Sequence, residues 1–197
     1  MRSEVKTKKM VRLMKVKVPL RENNYMIPPK RSMMDAAYQR EIEKEKALGE
    51  IRRHHGIIYG AQSVNRNVSG FIRRPTQDYD ILIRNPGVHA RHLERSLDHR
   101  FGGDLYKVKP AIHKGTFKVV TKDKAERCIA DFSSPTQFPE LSVTERDGIK
   151  NTTLKFEKGR RKKILADKEM AFRHGKARND LEMIRYQEQM NKQKWMR

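Results

Sequence analysis

The stretch Asp78-Tyr79-Asp80-Ile81-Leu82-Ile83 decides how the rest of the chain is read. Its period-2 alternation is that of a β-strand. Alternate strand side chains share a face, so both carboxylates project to one side. Held that close they repel, unless a divalent cation sits beside or between them. Upstream, the apolar run Ile57-Ile58-Tyr59 breaks at Gly60-Ala61-Gln62-Ser63. A strand, a small-residue turn and a short helix make a good place to hold a phosphate. Downstream, Arg127-Cys128-Ile129-Ala130-Asp131-Phe132 reads as a strand that brings a third carboxylate. The three features together point to phosphoryl or nucleotidyl transfer.

The order Gly60-x-x-Ser63, Asp78-x-Asp80, Asp131 resembles the nucleotidyltransferase fold of the DNA polymerase beta-like superfamily, in particular its minimal and toxin-type members. Similar basic proteins occur in phages and large DNA viruses. The likeness covers about residues 55 to 135, under half the chain. The resemblance implies that Asp78 and Asp80 bind Mg²⁺ and that Asp131 is the third carboxylate of the metal and catalytic site, helping to activate an acceptor hydroxyl. It further implies that Gly60 and Ser63 hold the β- and γ-phosphates of a nucleoside triphosphate. Two ions would then stabilise the attacking and leaving oxygens of an in-line displacement. The chain departs from the pattern at the turn, where Ala61 and Gln62 follow Gly60 in place of Gly-Ser or Gly-Gly. The connection from that turn to Asp78 is also longer than in the smallest members.

Composition bounds the partners. The 197 residues carry 45 Lys+Arg against 24 Asp+Glu, a formal charge of +21, which favours polyanions and says nothing about fold. A lone cysteine, Cys128, excludes an internal disulfide framework and suggests a reducing compartment. No apolar run is long enough to span a bilayer, and no apolar signal core opens the sequence. The expected setting is cytosol, nucleus or an assembled particle such as a virus particle.

The expected fold is α+β: a mixed sheet with packed helices over residues 32–135. A basic arm at 1–31 and a linker with a basic helical extension at 136–197 would flank it. The arm holds ten Lys/Arg against two acids, so it reads either as a solvated tail or as a nucleic-acid arm. Ser32 and Asp35 suggest a capping box opening a helix to about His54, with Glu41, Glu43, Lys44, Glu45 and Lys46 on a solvent face. Asn85-Pro86 should start a helix that stops at Gly102-Gly103. Two short β-rich runs, 105–112 and 116–120, follow. Residues 133–153 read as a polar linker with a turn at Asp147-Gly148, and the last 43 as helix broken near Gly159 and Gly175.

Arg66, Arg73 and Arg74 lie between the turn and the D-x-D strand, where they could meet a triphosphate or a nucleic-acid backbone; ordinary surface charge is the plainer alternative. Lys107, Lys109, Lys114 and Lys118 interleave with Tyr106 and Phe117. That pattern fits phosphate contacts with base stacking, and equally a half-buried sheet. His89 and His92 sit one helical turn apart, a chelating spacing, but no cysteine or patterned carboxylate accompanies them, and they read as exposed polar residues.

Two readings follow. One is a Mg²⁺-dependent nucleotidyltransferase that transfers a nucleotide to a nucleic-acid or protein acceptor and binds nucleic acid through its basic extensions. The other is a non-catalytic basic component of a virion or other large assembly that keeps the fold and binds nucleic acid or other protein subunits. Under either, nucleic-acid affinity should fall steeply with salt, and deleting residues 1–31 should flatten that slope in a filter-binding titration by removing counterion-releasing contacts.

Overall fold

A computed structural model describes residues 33–195. The expectations for the arm and for the Ser32 cap lie outside them. Among the described residues a seven-stranded mixed sheet is ordered β3-β4-β5-β2-β1-β7-β6. Its strands are β1 (Ile57–Tyr59), β2 (Tyr79–Leu82), β3 (Tyr106–Pro110), β4 (Phe117–Thr121), β5 (Cys128–Ser133), β6 (Val143–Arg146) and β7 (Ile149–Thr152). Five α-helices accompany it: α1 (Met33–Arg53), α2 (Gly60–Asn67), α3 (Pro86–Phe101), α4 (Leu154–Ala166) and α5 (His174–Trp195). The mixed α+β architecture is the expected one.

The core forms where α1 and α3 cover one face of the sheet. Ile81, Phe132, Val119 and Tyr106 from the strands meet Ala90, Leu93 and Leu97 of α3 and Ala47 and Ile51 of α1. Burying each large aliphatic side chain contributes about 1.5–3 kcal/mol. Helix α3 ends at Gly102, whose φ of 69° closes the C-cap as its position suggested. At the other end Asn85 stands at the cap position in the left-handed region, without a side-chain cap bond.

Charged residues enter the interior where periodicity gave no warning. Glu43 was placed on a solvent face, yet it is buried, held bidentately by Arg127 at 2.7 and 2.7 Å and by the Tyr106 hydroxyl at 2.7 Å. This fastens α1 to β3 and β5.

The boundary expected at residue 135 falls inside the sheet. β7 runs parallel to β1, with Ile57 opposite Lys150, and β6 pairs with β7 around the Asp147-Gly148 turn. Both turn residues have positive φ, 55° and 67°, as a two-residue hairpin requires. Nor does the C-terminal helix break at Gly159, which lies within α4; the break is the 3-10 segment Lys168–Arg173. Helices α4 and α5 close a second apolar cluster around Val64, Val68 and Ile184.

An ion-pair chain secures this second cluster. Buried Asp180 of α5 accepts from Arg74 Nε at 2.6 Å and from Arg161 Nε at 2.8 Å. Removing one member of a buried pair leaves the other charge uncompensated. Asp180→Ala should lower unfolding free energy by roughly 3 kcal/mol in urea titrations, the low end of the range because Arg161 retains Glu157 as a partner.

Candidate active site

Strand register builds the site as a single row. Tyr59 of β1 faces Asp80 of β2, Asp80 faces Asp131 of β5, and Asp131 faces Lys118 of β4. Residues in register share a face of the sheet, so the four side chains stand side by side. The opposite face carries Ile81, Ala130 and Phe132 into the core, which forces this row outward. The row opens into a cleft of about 520 Å³ whose walls include Lys114, Arg160 and Arg173. Ile112 and Phe172 at its rim are 98% and 78% exposed, an apolar lip on a charged cleft.

A bulge adjusts β5. Val119 pairs with Ala130 while Val120 pairs with Cys128, leaving Ile129 as the extra residue. The bulge turns Cys128 to the Asp131 side, where its thiol donates to Asp131 Oδ1 at 3.0 Å. Asp131 Oδ2 pairs with Lys118 Nζ at 3.2 Å. Burial and then the Asp131 charge push the Cys128 thiol well above its ordinary range. Burial works against the charge on Lys118, but the Asp131 charge and hydrogen bond outweigh it, and its pKa is raised.

Asp80 carries the strongest perturbation in the row. Burial pushes its carboxyl up to about 7; Arg160 pulls it down, while Asp78, Asp131 and Glu157 push it further up. Asp78 stands just before β2, within 3.2 Å of the Thr76 hydroxyl, and its charge reaches Asp80 and Lys118. Asp80 and Asp131 are thus brought together in the cleft, while Asp78 is not among its lining residues and stands one residue before β2.

Gly60 and Ser63 are placed differently from expectation. Gly60 has φ 74°, and a Cβ there would stand 2.1 Å from Asp80 Oδ2, so only glycine lets the turn pass behind this carboxylate. Its amide donates to Glu157 Oε1 at 2.8 Å. Ser63 is fully buried and donates to the Thr152 carbonyl at 2.8 Å. Both polar groups serve interior partners in place of the phosphates envisaged for them.

Several basic residues are likewise committed internally. Arg74 serves Asp180, and Arg66 ties α2 to the β6–β7 hairpin through the Arg146 carbonyl at 2.9 Å and Asp147 at 3.5 Å. Arg73 is exposed and reaches back to the Val68 carbonyl at 3.4 Å. Lys107 and Lys109 share Glu126. Tyr106 is fully buried, so its ring offers no stacking surface beside those lysines, and Phe117 is half-buried against Gly87 and the core. Lys114 and Lys118 do face the cleft.

Arg160 is the site residue that sequence reasoning missed. Its guanidinium lies 4.8 Å from the Tyr59 ring centroid and 5.7 Å from that of Phe138, a cation–π position at the cleft wall. Within the run Arg160-Arg161-Lys162-Lys163 no signal marks which cation faces inward.

No protein-family profile matches the chain, and no curated protein matches it in sequence. The crystal structure of the Megavirus polyadenylate synthase is similar to it, with a TM-score of 0.64 at 17% identity, over 80% of this chain and 33% of that one. The chain therefore spans about a third of the synthase's length. JHP933 from Helicobacter pylori aligns with a TM-score of 0.42 at 12% identity over 71% and 61% of the two chains, too distant to bear on the fold.

The raised Asp80 pKa gives stability a sign with pH. An unfolded Asp titrates near 3.8, so between about 4 and 7 the folded protein holds a proton that the unfolded chain has released. Stability contributed by Asp80 is therefore present at low pH and lost as pH rises through that window. In metal-free urea unfolding from pH 4 to 8, Asp80→Asn should gain on the wild type as pH rises, levelling off above about 7. At this likeness in structure, the chain has a nucleotidyltransferase-like fold.

Proposed function

We propose that the chain is a Mg²⁺-dependent nucleotidyltransferase acting on a nucleoside triphosphate, with a nucleic-acid or protein hydroxyl as acceptor. One observation carries the proposal: Asp80 and Asp131 are register neighbours on parallel strands, opening into a basic cleft. The donor set suits a hard divalent cation, since carboxylate oxygens are the ligands Mg²⁺ prefers. Burial, with a smaller push from the neighbouring acids, lifts Asp80 to about 7, and a bound cation would offset both by favouring the ionised carboxylate. Asp80 and Asp131 would hold it with Asp78 beside them; bound there, it supplies neutralisation of the phosphates and of the attacking oxygen.

The chain's own residues do the remainder. Lys118 neutralises Asp131 and holds it in place. Arg160, Lys114 and Arg173 present positive charge to a triphosphate in the cleft, where it stabilises charge that develops during transfer. The exposed Phe172 and Ile112 offer apolar contact to a base. The similar crystal structure is that of a polyadenylate synthase, so an adenylate donor with an RNA acceptor is the first pair to try.

A second reading draws on the closed turn. The Gly60 amide is bonded to Glu157 and the Ser63 hydroxyl is buried against the Thr152 carbonyl, so both donors named for the phosphates are engaged inside. That favours a non-catalytic component of a large assembly that retains the fold. Incubation with each of the four labelled nucleoside triphosphates, Mg²⁺ and RNA, DNA or protein acceptors separates the two. The proposed enzyme labels an acceptor, and Asp80→Asn abolishes labelling while leaving the fold intact. A wild type inert with every pair, and an Asn variant with a raised melting temperature in Mg²⁺, would decide for the assembly component.

A further inference from the structure

A second cluster of ligating side chains lies away from this cleft, where the C-terminal end of α1 meets the first half of α3. Glu50 and His54 share one face of α1 at i, i+4, and His89 and His92 share one face of α3 at i, i+3. The Glu50 side chain is only 3% exposed, so its charge must be met from close by. His92 Nδ1 lies 2.7 Å from its Oε2, and His89 Nδ1 lies 2.8 Å from its Oε1. His54 Nε2 is 3.5 Å from Oε1, and Arg53 Nη1 is 4.0 Å from Oε2. One ligand atom each from Glu50, His54 and His92 all fall within 4.8 Å of one another.

We propose that Glu50, His54 and His92 form a binding site for a divalent cation of the Zn²⁺ class that clamps α1 to α3, with His89 orienting the Glu50 carboxylate. Two imidazoles and a carboxylate are a borderline set, suited to Zn²⁺ and unsuited to Mg²⁺ or Ca²⁺. In a tetrahedral site with bonds of about 2.0–2.1 Å, neighbouring ligand atoms stand about 3.3 Å apart. His92 Nδ1 stands 2.7 Å from Glu50 Oε2 and His54 Nε2 stands 3.5 Å from Oε1, on either side of that value, and with the three ligand atoms within 4.8 Å of one another the His54 and His92 rings must adjust to close around the ion. His54 and His92 are partly exposed, which provides an entry path and leaves a fourth position for water. His89 is the more buried ring, and its bond to Oε1 is the kind of outer contact that fixes a ligating carboxylate. The Arg53 charge opposes the ion, but its side chain is largely exposed and free to turn away.

The test uses the full chain, free of any histidine tag and stripped with a chelator. Co²⁺ titration followed by its visible d–d absorption should saturate at one equivalent with the intensity of a tetrahedral site, and Zn²⁺ should displace it. The same titration in the Asp80→Asn/Asp131→Asn double variant should be unchanged, which separates this site from the cleft. His54→Gln or His92→Gln should remove the tetrahedral signal, and His89→Ala should weaken binding by about 10–100-fold, as expected of an outer partner. Saturable tetrahedral binding in the wild type that disappears in these variants supports the site. Absence of one-equivalent binding in the wild type, or binding untouched by the paired His54→Gln/His92→Gln change, overturns it. A wild type that binds no equivalent overturns the site whatever the variants do, and a variant counts only where its circular dichroism matches that of the wild type.

Discussion

Glu157 is fully buried, and the arrangement of the C-terminal half follows from meeting its charge. One oxygen takes the Gly60 amide at 2.8 Å and lies 2.7 Å from the Thr152 hydroxyl; the other has Arg161 at 3.2 Å and Arg160 at 3.6 Å. The second oxygen makes no hydrogen bond and is met by the charge of the two arginines alone, and a carboxylate away from water is tolerated only where partners of this kind stand close by. Those partners come from the end of β1, the end of β7 and the first turns of α4. Satisfying one side chain therefore fixes three elements against one another. Arg161 passes the constraint on to Asp180 and so to Arg74, which draws in α5 and the segment before β2. For this reason the described residues from 136 to 195 pack into the fold, with β6 and β7 in its sheet.

The same carboxylate shapes the candidate site from behind. Burial does most to raise the Asp80 pKa, and the Glu157 charge adds a smaller push to those of Asp78 and Asp131, against the pull of Arg160. Gly60 stands between the two carboxylates, donating to one and leaving room for the other. A larger residue at that turn would collide with Asp80 and face a strained φ as well. The turn is thus kept as glycine by packing, whatever becomes of its phosphate-binding role. Burial also lifts the Tyr59 hydroxyl to about 12, with Asp80 adding to the effect, so this member of the row stays neutral.

Elements whose signal is local were legible in the sequence. The strands ending at Tyr59 and containing Asp80 and Asp131, helix α3 with its Gly102 stop, and the Asp147-Gly148 turn all stand where the residues suggested. Elements whose signal depends on a distant partner were not. β6 and β7 are four residues each and largely polar, so Val143–Arg146 and Ile149–Thr152 show only the turn between them. β7 becomes a strand by pairing with β1, some ninety residues away. Glu43 reads as solvent-facing, and Glu50 draws no notice at all, because a helical pattern cannot reveal that Arg127 or two histidines of α3 wait opposite. Tyr106 and Ser63 illustrate the same limit for polar atoms that find their partners inside.

The internal pairs also sharpen what the formal charge of +21 means. Arg66, Arg74, Arg127 and Arg161 were candidates for meeting a polyanion or went unremarked, and each is engaged with an acid of the chain. A pair of this kind withdraws one charge of each sign, so it leaves the excess unchanged. With Glu43, Glu157 and Asp180 occupied in the interior, fewer acids remain at the surface to offset its lysines and arginines. Burying ion pairs therefore concentrates the positive excess where a partner would meet it. In the cleft that excess comes from Lys114, Arg160 and Arg173, set beside the exposed rings and methyls of Phe172 and Ile112. Under the function proposed above, the cations of the cleft would meet the phosphates of a nucleoside triphosphate and its apolar rim would meet the base.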